Sequence, residues 1–324
     1  HAAILRSPGA HGRLRAVDGE RARKMAGVHA VITASDITRE MGSVPTIPIR
    51  LAPMPALQVF VQPVVAETKV RFVGEPVALV VADTAALAED ALSAIELDIE
   101  SLPAIIDRET AEAVEVPLFE SADSDTPITY IARRGDAAAA FGAAEYTRRE
   151  RFAVHRHSGV PLEPRGIIAE WNDTGERLTV WGAAKIPFAV RAGIAGLFGI
   201  ETDAIEMIEN DVGGGFGIRG EFAPEDFLVP YAARRLARPV KWVEDRREHL
   251  ISATHAREAE CEIEIACRKD GTILGLRGHA YTDMGAYVRG NGVIGPRNVA
   301  QFLSGPYRIE NIESRVTLVM TNKS

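Results

Sequence analysis

Short apolar runs, separated by polar turns, organise this chain. Unbroken apolar stretches at 28–32 and 78–82 predict buried strands. Between Asp18 and Gly27 an acidic start and a glycine stop predict a short helix. After Asp83-Thr84, the residues Ala88, Ala91, Leu92 and Ile95 recur at i, i+3, i+4 and i+7, one face of a second helix. Leu97 and Ile99 then alternate with Glu96, Asp98 and Glu100, the pattern of an edge-like strand. Residues 43–63 are rich in proline and have no period, so they read as a long surface loop.

The second half reads as α+β. A strand opens at 152–154, and others follow at 178–181 and 204–209. Pro187 suits a first helical turn, and Val190, Ile194, Leu197 and Phe198 form an apolar stripe that Gly199 ends. Another helix starts at Pro224-Glu225-Asp226 and runs to about Ala237; Pro230 inside it removes one N–H donor and predicts a kink. Lys269-Asp270-Gly271 predicts a hairpin between the strand of Cys261 and one at 272–281. Residues 107–127 carry many acids and little periodicity. A boundary therefore falls there, with 1–107 as one domain, 108–145 as linker and 146–324 as the next.

Composition changes this picture little. The 324 residues suffice for about two domains, and a net charge of −8 argues against a nucleic-acid surface. No apolar run approaches the ~18 residues of a membrane span. Cys261 and Cys267 share the apolar face of one strand, about 20 Å apart, too far for a disulfide. They fit core positions in a protein of a reducing, cytoplasmic compartment, and two thiols cannot hold an iron–sulfur cluster. The chain opens on His1 rather than methionine and stops at Ser324 without a terminating element, so both ends read as cut.

The candidate chemistry centres on Asp211-Val-Gly-Gly-Gly-Phe-Gly217. Such a run gives up much conformational entropy on folding. It suits a place where backbone must approach something closely, or where successive bare N–H groups receive an electron-rich ligand. Gly214, Gly215, Phe216 and Gly217 are the candidate contacts. A dinucleotide pattern forced through Gly213 and Gly215 meets Ile218 where glycine is required, and no P-loop lysine follows. A structural turn, a pyrophosphate site and another ligand cradle all remain open at this point. His155 and His157 share a strand face, but no third metal ligand is spaced to join them. Zinc-hydrolase and serine-hydrolase motifs are absent.

The surroundings of the bend carry a resemblance. Asp211-Val-Gly-Gly-Gly-Phe-Gly-Ile-Arg219, followed by Arg238-Pro-Val-Lys-Trp-Val-Glu-Asp-Arg246, resembles the large, molybdopterin-binding subunit of molybdenum hydroxylases. That family includes xanthine dehydrogenase, aldehyde oxidase and aerobic carbon monoxide dehydrogenase. Arg6-Ser7-Pro8 with His11, Phe72-Val-Gly-Glu-Pro-Val-Ala78, Glu163-Pro-Arg165, Asp283-Met-Gly-Ala-Tyr287, Gly305-Pro-Tyr307 and Thr321-Asn-Lys323 agree with it, in order along nearly the whole chain.

The resemblance implies an α+β chain, an α/β hammerhead domain followed by the first part of a molybdenum-cofactor domain. It implies that backbone N–H groups around Gly215 and Phe216 meet an oxo ligand or the pterin. Lys185 departs from the family, standing where many members have a glutamine beside the oxo ligand; it is a candidate donor there, or a side chain turned to solvent. Gly220 departs too, at a position where purine-oxidising members carry a glutamate, and Glu221 comes one residue late. Glu163-Pro164-Arg165 reads as a packing element, with an ion-paired turn near the cofactor as the alternative, and Glu75 as structural. The resemblance further implies hydroxylation of an aldehyde or N-heterocyclic carbon with oxygen from water. The cofactor it implies is molybdenum-molybdopterin, expected in its cytosine dinucleotide form, with 2Fe-2S and FAD on partner subunits. The general base is expected beyond Ser324, so a remaining half or subunit is a required partner and this chain alone is expected to be silent. A nicotinamide-dependent dehydrogenase and a non-catalytic scaffold are the rival readings.

Overall fold

The computed structural model describes residues 1–49, 54–113, 116–122, 124–256 and 258–324. Among them, the strands form three sheets. The largest has seven strands, in the order Ile205–Ile208, Leu178–Gly182, Gly166–Trp171, Val240–Val243, Ala2–Arg6, Pro76–Ala82 and Val28–Thr33. Sequence-distant parts of the chain thus share one sheet. Ala2 pairs in parallel with Trp242, and on its other side antiparallel with Val81. One apolar cluster accordingly joins both parts: Ile4, Ile32, Leu79 and Val81 belong with Ala169, Leu178, Ile194, Phe227 and Trp242. Every residue of Pro76–Ala82 is buried, as an uninterrupted apolar run requires of a strand covered on both faces.

Helix Glu225–Leu236 crosses this sheet with most of its residues buried. Pro230 lies within the helix without ending it, and its carbonyl accepts the Trp171 indole N–H at 2.9 Å. Helix Pro187–Phe198 starts on proline and stops at Gly199, whose φ of 64° is the left-handed geometry that favours glycine. Thr84 caps helix Ala85–Leu92 through the Leu87 N–H, and Ala88 and Ala91 turn inward. The helix before Gly27 is a single turn, Glu20–Arg23. Strand Glu96–Ser101 is an edge of the three-stranded sheet, as its alternation predicts.

The five-stranded sheet orders Thr129–Arg134, Asn311–Met320, Ile273–Gly285, Ala259–Cys267 and Tyr146–Val154. Cys261 faces Phe152 on one side and Ala280 on the other, while Cys267 faces Tyr146; both thiols are free and half-buried. Within 108–145 the chain supplies helix Arg108–Ala113, the edge strand Thr129–Arg134 and helix Ala137–Gly142. The surface-loop reading of 43–63 is corrected over the described part of that stretch; 50–53 lie outside it. Pro55–Phe60 is a 3₁₀ helix, and Ile47, Leu57, Phe60 and Val61 are buried. Phe60 sits edge-on to Phe119 at 5.1 Å and its carbonyl takes the Val288 N–H at 2.9 Å. Without periodicity, these apolar side chains gave no sign of burial. No helix among the described residues is long and apolar enough to cross a membrane.

Candidate cofactor cradle

After strand Ile205–Ile208 the chain enters the glycine bend, and each residue there has its own constraint. Gly214 and Gly217 adopt φ of 103° and 99°, which side chains disfavour. Gly213 has an ordinary φ but packs tightly: a Cβ there would stand 2.4 Å from Glu163 Cβ. Gly215 has room at an ordinary φ, with Arg219 Cδ 3.8 Å from an added Cβ. Phe216 is the exception, a non-glycine at φ 48° that is 78% exposed. Backbone held in such a conformation marks a candidate functional site.

The bend is fastened from behind. Arg219, 7% exposed, donates from Nε to the Gly214 carbonyl at 2.8 Å. Its Nη2 donates to the Glu163 carbonyl and to Glu163 Oε2, both at 2.9 Å. The same Oε2 accepts the Gly213 N–H at 2.6 Å. Ile218 and Gly220 close back onto the carbonyls of Gly215 and Gly217 at 3.0 Å. Among the described residues, the N–H groups of Gly214, Gly215, Phe216 and Gly217 have no hydrogen-bond partner.

Gly215, Phe216 and Gly217 line an open cleft of ≈ 480 Å³, with Lys185, Glu209 and Val212 among its other walls. Gly214 does not line it; its carbonyl is held by Arg219. The Lys185 N–H donates to the Arg219 carbonyl at 2.8 Å, which ties the start of helix Pro187–Phe198 to the far end of the bend. The Lys185 side chain is exposed, and its ammonium has no partner among the described residues. Glu209 is spent on the Ala184 N–H at 2.7 Å, and Glu221 on the Asn291 N–H at 2.7 Å. Lys185 and three of the four bend residues named from sequence thus meet on one cleft. Arg219 and Glu163 were quoted as motif letters without a role at the bend; 56 residues apart, they show nothing in their spacing that joins them.

Behind the Glu163-Pro164-Arg165 turn lies a second, buried set of charges. Arg165 pairs with Glu244 at 2.5 Å and with Glu225 at 3.1 Å. Arg6 pairs with Glu225 at 2.6 Å and Glu248 at 2.7 Å, and Glu244 meets His249 Nδ1 at 2.7 Å. Burial pushes the Glu225 carboxyl up, but Arg165 and Arg6 overcome it and hold it at about 2. Burial dominates at Glu248, lifted to about 7 despite Arg6, and at Asp226, also at about 7. Glu75 is buried beside Tyr287, whose hydroxyl donates to it, and is likewise lifted to about 7 by desolvation. The ion pairs of Glu163 and Arg165 realise the alternative reading of that turn rather than simple packing, and Glu75 is buried, as a structural role requires.

The chain matches a family profile described as the molybdopterin cofactor-binding domain over residues 122–324. The a/b hammerhead domain of aldehyde oxidase and xanthine dehydrogenase matches residues 1–103. The chain is 35% identical to the gamma subunit of the 6-hydroxypseudooxynicotine dehydrogenase complex of Paenarthrobacter nicotinovorans, over all of this chain and 41% of that subunit. It is 33% identical to the carbon monoxide dehydrogenase large chain of Hydrogenophaga pseudoflava, again over 100% of this chain and 41% of the relative. The crystal structure of quinoline 2-oxidoreductase from Pseudomonas putida 86 superposes with a TM-score of 0.90 at 33% identity, covering 100% of this chain and 41% of that one. The chain therefore spans about two-fifths of the length of these relatives, 41% in each case.

Proposed function

Because this chain belongs to the molybdopterin cofactor-binding family of aldehyde oxidases and xanthine dehydrogenases, we propose that it is the cofactor-holding part of a molybdenum hydroxylase. The reaction is hydroxylation of an aldehyde or N-heterocyclic carbon, with water as the oxygen source. One observation carries this reading: the unpartnered N–H groups of Gly215, Phe216 and Gly217 along the cleft. An oxo or phosphate oxygen can accept from such a row with no side chain in its way. Arg219 and Glu163 hold the row from behind, so the donors need no reorganisation to receive an anionic group. Lys185 adds an ammonium on the same cleft, a donor toward an oxo ligand that favours anionic character there. These residues fit a molybdenum–pterin group. When bound, that group supplies the two-electron redox chemistry, and the chain positions and polarises.

Finer points belong to the same proposal. The pterin is read as the cytosine dinucleotide form, and 2Fe-2S and FAD on partner subunits receive the electrons. The general base comes from the rest of the polypeptide or from another subunit, so no residue of this chain is assigned that role. A multi-subunit assembly is supported by the relatives, a gamma subunit of a complex and a large chain. A cytoplasmic location rests on the two thiols, which are unpaired. The nicotinamide reading rests on glycine spacing alone and yields to the family match.

Elemental analysis of the complete protein, purified from cells supplied with molybdate, is expected to find molybdenum in stoichiometric amount. Folded, assembled protein without molybdenum would overturn the reading in favour of a scaffold. Steady turnover by the 324 residues alone would contradict the external base.

A further inference from the structure

The strap between His157 and Glu163 runs beside the glycine bend with little of its own to hold it. At its start, His157 and Ala256 exchange backbone hydrogen bonds at 2.8 and 3.0 Å. At its end, the Glu163 N–H donates to the Gly213 carbonyl at 3.3 Å. Side-chain burial holds little of what lies between, because Val160 is 44% and Leu162 93% exposed. Val160 also sits at φ 34°, a conformation that a β-branched side chain strongly disfavours. Such strain persists only where the surroundings impose it.

Arg246 is the residue that reaches the strap. It opens helix Arg246–Ser252, which Asp245 caps through the Glu248 N–H. Its Nη2 donates to the Pro161 carbonyl at 2.5 Å and to the Leu162 carbonyl at 3.0 Å. Among the described residues, these are the only hydrogen bonds to the backbone of 158–162. The strap so held lies flush on the bend. A Cβ on Gly159 would stand 3.3 Å from Phe216 Cβ and 2.9 Å from Ile218 Cδ1. One on Gly214 would stand 3.1 Å from Phe216 Cε2 and 3.3 Å from Pro161 Cβ. Val160 and Phe216, both at positive φ, therefore belong to one contact between two irregular segments.

We propose that Arg246 is a positioning residue: it pins the strap at 158–162 against Phe216 and so aims the Phe216 and Gly217 N–H groups into the cleft. Arg219 and Glu163 fix one side of the bend, and Arg246 fixes the other through the strap. The inference rests on the bend being the cofactor cradle proposed above, and its test separates the two.

Arg246→Met, Arg246→Lys and Arg247→Met are compared with wild type in the complete assembled protein, Arg247 being the exposed neighbour that serves as control. Hydrogen exchange is followed by mass spectrometry at 211–220 and at the buried strand 76–82, and molybdenum retained on dialysis is measured on the same samples. Arg246→Met is expected to speed exchange at 211–220 about tenfold while 76–82 keeps its rate, and to lose molybdenum that wild type retains. Arg246→Lys should recover part of both, since an ammonium still donates to a carbonyl, and Arg247→Met should change neither. Unchanged exchange at 211–220, or an equal acceleration at 76–82, overturns the positioning role. Faster local exchange with molybdenum retained as in wild type overturns it too. Wild-type protein without molybdenum overturns the cofactor reading instead, and a local acceleration in Arg246→Met of such protein still supports Arg246 as the residue that holds the bend.

Discussion

The two sides of the Glu163-Pro164-Arg165 turn follow opposite rules. Behind it, Glu225 and Glu244 are buried, Arg6, Arg165 and Glu248 are largely covered, and every charge has a close partner. In front, Arg219 and Glu163 are equally committed, but what they hold in place is a row of amides with nothing to bond. Removing charges from water is costly unless they are fully paired, so the rear cluster is a rigid foundation. Unsatisfied donors are tolerable only where solvent or a ligand reaches them, so the front is a binding surface. One tripeptide serves both, since Glu163 belongs to the front and Arg165 to the rear.

The division is open to attack first at the rear. Glu225→Ala leaves two buried arginines short of a shared acceptor, and the expected cost is about 3–5 kcal/mol in urea unfolding. A loss within the range of a surface pair would show that Arg6 and Arg165 are satisfied by Glu248 and Glu244 alone. The rear also sets the pH response. Glu75, Asp226 and Glu248 have carboxyls raised to about 7 in the fold, so their stabilising contribution is complete below the ordinary carboxylate range and is lost as pH rises through about 7. Glu225 has the opposite sign: its contribution is present above the ordinary carboxylate value and is lost only as pH falls through about 2. Stability measured by unfolding between pH 5 and 8 should therefore fall toward the alkaline end, and Glu75→Gln should flatten that slope.

Smaller effects sharpen the front. Arg219→Ala removes charge-assisted bonds worth about 1.5–3 kcal/mol each in favourable cases. Because the bend is exposed, global stability should fall by less than that while molybdenum content drops and proteolysis within 211–217 accelerates. Gly213→Ala and Gly215→Ala separate packing from composition. The first drives a methyl to 2.4 Å from Glu163 Cβ and should cost about 1–3 kcal/mol by overpacking. The second has room and an ordinary φ, and a change within about 0.5 kcal/mol is expected. Equal behaviour of the two alanines would mean that flexibility, rather than contact with Glu163, is what the glycines supply.

Much of this molecule was legible along the chain. The strand at 76–82 announces itself by an apolar run, and helix Pro187–Phe198 by its proline start, its stripe and its glycine stop. Thr84 and Gly199 mark helix ends for local reasons, a side-chain acceptor and a left-handed φ. The glycine bend was legible as a place where backbone is laid bare, and Lys185 as a departure beside it. The burial of Ile47, Leu57 and Phe60 was not, because irregular chain carries no period from which to read a face.

Local rules, acting over a few residues, determined the elements, the bend and the family motifs. Only the tertiary structure decided that Ala2–Arg6 lies between Val240–Val243 and Pro76–Ala82, and that Arg219 clamps the bend to Glu163. The same holds for the different duties of Gly213, Gly214 and Gly215, three identical letters. These facts depend on which atoms packing brings together across large sequence separations, and no local propensity encodes a neighbour that distant.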